Sequence, residues 1–123
     1  MNKSNNISKD ENIKKLKKYL TIPYNKNITY ILIKYINIYN SIKNDLNMEE
    51  KYNIIINLFD FMYKIKIYEI FKNNNKLNLC IYKKFIDLNE QMKTFSYYNK
   101  ENNIKYYIYF VQNYKDNYDK IIF

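Results

Sequence analysis

The chain contains no glycine, histidine, tryptophan, arginine or alanine, and it has one proline and one cysteine in 123 residues. Each absence removes a class of function. Without histidine there is neither the commonest general base nor the commonest transition-metal ligand, and one cysteine cannot complete a zinc site. Without glycine, none of the phosphate-cradling loops that need close backbone approach or positive backbone angles is available, which excludes dinucleotide fingerprints and P-loops. The sequence therefore reads as that of a non-enzyme, with no catalytic residue, no cofactor and no metal, and no small-molecule substrate is expected. The carboxylates left for acid–base work stand at helical spacing from lysines: Asp60 is four before Lys64, and Asp87 is four after Lys83 and three after Lys84. Surface ion pairs account for both. A pocket converging on Asp60, Glu69 or Asp87 would reverse that reading.

Cys80 sits in the apolar stretch Leu77, Leu79, Cys80, Ile81, as a buried thiol in a reducing compartment would. The opening residues are polar, and uncharged runs such as Tyr106 to Tyr114 are about half the length of a membrane span. The expectation is an intracellular, cytoplasmic or nuclear, soluble protein, neither secreted nor transmembrane.

What the chain does contain is Lys, Asn, Ile, Tyr and Phe, including 16 tyrosines. These residues are spelled by A- and T-rich codons, so an AT-rich genome, viral or parasite, explains the tyrosine count before any binding role does. Apolar and aromatic residues make up 47% of the chain at regular spacing, more than a disordered segment carries. Residues 1–7 are expected to be disordered and 8–123 to form a single helical domain.

Five helices are expected. Ser8 to Glu11 has the pattern of a capping box, followed by Ile13, Leu16 and Leu20 on one face, and Pro23 ends the first helix. Apolar residues at 28, 31, 32, 35, 38, 39 and 42 define a second. Asn47 and Glu50 signal the start of a third, whose buried face holds Tyr52, Ile55, Ile56, Phe59, Met62 and Tyr63, with a break near Lys64 to Lys66 and a continuation to Phe71. After the asparagines 73–75, a fourth carries Leu77, Ile81, Phe85, Leu88, Met92 and Phe95 in a seam pattern. The fifth, after Asn99 to Asn103, is expected to turn Ile104, Tyr107, Ile108, Val111, Tyr114 and Tyr118 inward, and Ile121 to Phe123 to dock on the body. The fold class is all-α, a compact five-helix bundle or short helical superhelix.

Two surfaces are candidates for function. The first 26 residues hold seven lysines against two acids, and Lys14, Lys15, Lys17 and Lys18 fall opposite the apolar arc of the first helix. Such a face suits nucleic acid or an anionic membrane, and without arginine its binding would be salt-sensitive and sequence-tolerant. The second surface is apolar and aromatic: Tyr106, Tyr109 and Phe110 lie off or at the edge of the fifth helix's stripe, and Tyr30, Ile33 and Ile36 off the second's, which makes the second helix either central in the bundle or shared with a partner. The leading functional expectation is a non-enzymatic protein-protein interaction module, an adaptor or small complex subunit, using that aromatic surface. A second copy of the chain is one candidate partner. The alternative is an electrostatic binder of nucleic acid or anionic membrane through the basic amphipathic helix.

Overall fold

The computed structural model describes residues 2–21, 28–66, 75–95, 99–107 and 112. Among them the chain forms five α-helices and no strand: α1 (Asn2–Tyr19), α2 (Ile28–Ile42), α3 (Met48–Lys64), α4 (Asn75–Thr94) and α5 (Lys100–Tyr106), with a 3-10 turn, Lys43–Asp45, between α2 and α3. The all-α class is the expected one. Pro23, Glu69, Tyr109, Phe110 and the C-terminal tripeptide lie outside the described residues, as does the side chain of Cys80. Contacts cluster into two units, Met1–Ile54 and Ile55–Phe123, with the division inside α3.

In the first unit, α1 packs on α2. Leu16 is buried, and of the stripe of α2 that helical spacing predicts, Ile28, Ile31, Leu32, Tyr35, Tyr39 and Ile42 are buried while Ile38 is half-buried. Ile36, off that stripe, is buried as well, so the apolar face of α2 is wider than one row. Tyr35 carries a hydroxyl into this core and donates it to the Ile54 carbonyl at 2.7 Å, tying α2 to the start of α3. Burial without that bond would leave a polar group unsatisfied.

α1 begins at Asn2, upstream of the expected start at Ser8. No proline or glycine interrupts that stretch, and extending an existing helix closes one hydrogen bond per added residue. Ser8 and Glu11 therefore lie inside the helix rather than at its start. The helix ends as a turn in which the Thr21 hydroxyl donates to the Lys18 carbonyl at 2.8 Å.

The second capping signal forms in full. The Asn47 amide donates to Glu50 Oε1 at 2.9 Å, and the Glu50 amide donates to Asn47 Oδ1 at 2.8 Å. Two free amides at the head of α3 are thereby satisfied reciprocally. Glu50 Oε2 also pairs with Lys9 of α1 at 3.4 Å, so one carboxylate fixes the start of α3 and holds α1 beside it.

In the second unit, Ile55, Leu58, Phe59 and Met62 of α3 and Phe85, Leu88, Met92 and Phe95 are buried. Phe59 and Phe85 meet edge to face, ring centres 6.4 Å apart. Tyr63, expected on the buried face of α3, is instead partly exposed. α3 ends at Lys64, and Lys66 takes φ 55°, the left-handed geometry that glycine adopts most readily. Asn99 caps α5, its side-chain oxygen accepting from the Glu101 amide at 3.0 Å. That cap starts the helix within the segment expected to be a linker.

Asn47→Ala removes half of the reciprocal cap and costs about 1 kcal/mol, read as a lower midpoint in urea denaturation. Burial pushes the Tyr39 phenol up to about 12 and raises that of Tyr35 further. A phenol whose folded value is raised binds its proton longer in the folded state, so its contribution is intact below the ordinary tyrosine value near about 10 and is lost as pH rises through the folded one. The thermal midpoint is expected to fall between about pH 10 and 12, and spectrophotometric titration should show a late-ionising class of tyrosines that becomes ordinary on unfolding.

Candidate anion-binding face

The lysine face drawn from the helical wheel is present. Lys14, Lys15, Lys17 and Lys18 are all exposed, while Leu16 between them is 1% exposed and Ile13, Tyr19 and Leu20 are half-buried. The face arises because the apolar arc of α1 is occupied by packing on α2, which leaves the lysine arc to solvent. Among the described residues none of these four lysines has a carboxylate partner; the ion pairs there are Lys9 with Glu50, Lys64 with Asp60, and Lys93 with Glu90. Asp87, expected to pair with Lys83 or Lys84, makes no such contact among the described residues.

The wheel did not bring out Lys34. Its ammonium lies 5.3 Å from the ring centre of Tyr30, one helical turn earlier on α2. A hydrogen bond with Tyr30, then the field of that phenol and of Tyr19, raise the Lys34 ammonium above the ordinary lysine value. Tyr19 belongs to α1, four residues after Lys15, so Lys34 lies within electrostatic reach of the end of α1, the helix that packs on α2. The signal in the sequence was the spacing of Tyr30 and Lys34, four apart, on a helix whose other side is wholly apolar.

Of the aromatic candidates, Tyr30 is 62% exposed and Ile33 is half-buried. Tyr106 is a correction: expected on the outer side of the fifth helix, it is buried, while Ile104, expected inward, is exposed. The cause is chemical. Tyr106 donates its hydroxyl to Asp60 Oδ1 at 2.8 Å and meets Tyr63 edge to face at 5.9 Å, contacts that an isoleucine cannot make. Lys105 lies over both rings, 5.3 Å from Tyr63 and 4.8 Å from Tyr106. Tyr106 is thus engaged within the fold.

Asp60 is occupied in the same way. Lys64 holds its other oxygen at 2.9 Å, as the spacing predicts. That hydrogen bond, opposed by partial burial and aided by Tyr106 and Lys105, keeps the carboxyl below the ordinary aspartate value. Among the described residues, no group of three or more His, Cys, Asp or Glu side chains could hold a metal ion, and no helix is long and apolar enough to cross a membrane.

No protein-family model matches this chain, and no curated protein or solved structure matches it either.

Tyr106→Phe and Asp60→Asn should each lower stability, and the double variant should lose less than the sum, with a coupling of roughly 0.5–3 kcal/mol in a denaturation cycle. Because the Asp60 carboxyl is lowered, its contribution is present above the ordinary carboxylate range and is lost as pH falls through the lowered value. Asp60→Asn should accordingly flatten the acid limb of stability against pH.

Proposed function

We propose that this chain is a non-catalytic binding module that holds a nucleic-acid backbone on the Lys14, Lys15, Lys17 and Lys18 face of α1. The observation that carries the reading is four exposed ammonium groups on one helix with no carboxylate partner among the described residues. Elsewhere in the described residues Lys9, Lys64 and Lys93 are paired with nearby acids; Lys43, Lys51 and Lys66 stand without one as well, but they are spread over three separate elements and turns rather than gathered on one helical arc. A row of unpaired cations costs self-repulsion in the free protein and gains from phosphates that release counterions on contact.

The same packing argues against an anionic membrane as the partner. An interfacial helix inserts its apolar side among lipid chains, and here that side is committed to α2, with Leu16 buried. Of the aromatic surface that a protein partner would use, Tyr106 faces inward, Ile33 is half-buried and Tyr30 is broadly exposed. Tyr109 and Phe110 lie outside the described residues and do not bear on the choice.

With labelled oligonucleotides, the logarithm of the association constant should fall linearly with the logarithm of salt, losing about 0.7 per single-strand phosphate contacted and about 0.9 per duplex phosphate. Replacing Lys14, Lys15, Lys17 and Lys18 together by glutamine should abolish binding while leaving the helical circular dichroism unchanged, since all four side chains are exposed. Wild-type affinity in that variant, or preferential retention on phosphatidylserine vesicles, overturns the proposal.

A further inference from the structure

Resting on that reading, we infer that the bound nucleic acid is single-stranded, with one of its bases stacked on Tyr30 of α2, the helix on which α1 packs. Tyr30 is on the first turn of α2, 62% exposed, although tyrosine is an amphipathic residue that the rest of α2 buries at positions 35 and 39. Its ring is not idle. Lys34 sits 5.3 Å from its centre, so the phenol and an ammonium present themselves to solvent as one unit. Tyr19 on α1 lies within electrostatic reach of the same ammonium, and Lys15 stands one helical turn before Tyr19. Lys15 and Tyr19 are thus one turn apart on α1, Tyr30 and Lys34 one turn apart on α2, and the two helices pack on each other.

That arrangement matches the chemistry of an unpaired strand, whose phosphates are spaced for cations while its bases offer flat faces. Proteins that bind single strands without sequence preference combine a positive track with aromatic rings on which bases stack. A duplex keeps its bases stacked on one another and offers the phosphate backbone alone to such a surface, so Tyr30 would add nothing there. The absence of arginine is consistent with this division, because reading base edges in a duplex groove relies most on the bidentate guanidinium. Stacking needs a ring, and the charge of lysine suffices for the backbone.

The test compares three labelled probes on the full chain: an oligothymidylate of about 16 nucleotides, an abasic strand of the same length, and a duplex. Each is measured against wild type, Tyr30→Phe, Tyr30→Leu and the four-lysine glutamine variant. The wild type should prefer oligothymidylate to the abasic strand by about tenfold, Tyr30→Phe should keep that preference, and Tyr30→Leu should remove it without changing abasic or duplex affinity. Binding of all three probes that is lost with the lysines but indifferent to Tyr30→Leu overturns the single-strand inference and leaves the anion-binding reading standing. Failure of all three probes to bind wild type overturns both.

Discussion

A buried tyrosine brings a hydroxyl into the core, and much of this structure follows from giving that hydroxyl an acceptor. With no alanine or tryptophan and 16 tyrosines, the chain fills part of its interior with phenols. Tyr35 reaches the Ile54 carbonyl, and Tyr106 reaches the Asp60 carboxylate. Both acceptors belong to α3. Aliphatic packing tolerates small sliding of one helix past another, whereas a 2.7 Å hydrogen bond does not. The phenols thus supply register to helices whose isoleucines and leucines supply cohesion.

Some of the charges are arranged on the same principle of local satisfaction. Glu50 serves a helix cap and Lys9 together, and Asp60 serves Lys64 and Tyr106 together. Acids are fewer than lysines by nine over the whole chain, so some cations must go without partners. They are not scattered evenly: four of them gather on the outer arc of α1, where burial of the opposite arc also fixes their direction. A surplus that composition alone requires has become, through the fold, a surface with an orientation.

The helical class and the inward stripe of α2 were legible in the sequence because period and polarity agree there over four turns. The Asn47 cap was legible because its two hydrogen bonds are local, needing only residues three apart. The start of α1 was not, since Ser8 and Glu11 resemble a cap whether or not the helix continues upstream of them. The facing of α5 was also hidden: on apolar count Ile104 belongs inside, but Tyr106 wins through a carboxylate 46 residues away. The lysine face was drawn correctly from spacing, whereas the nearness of Lys34 to the end of α1 depends on how α1 lies along α2, which no single helical wheel contains.

Lys66 shows what the missing glycine means for a single turn. A left-handed residue with a side chain carries roughly 1–2 kcal/mol of steric cost, a sizeable share of the margin by which a domain of this size stays folded. The turn after α3 therefore holds its shape at a local cost that the packing of the helix before it must offset, because the composition supplies no glycine to take that position.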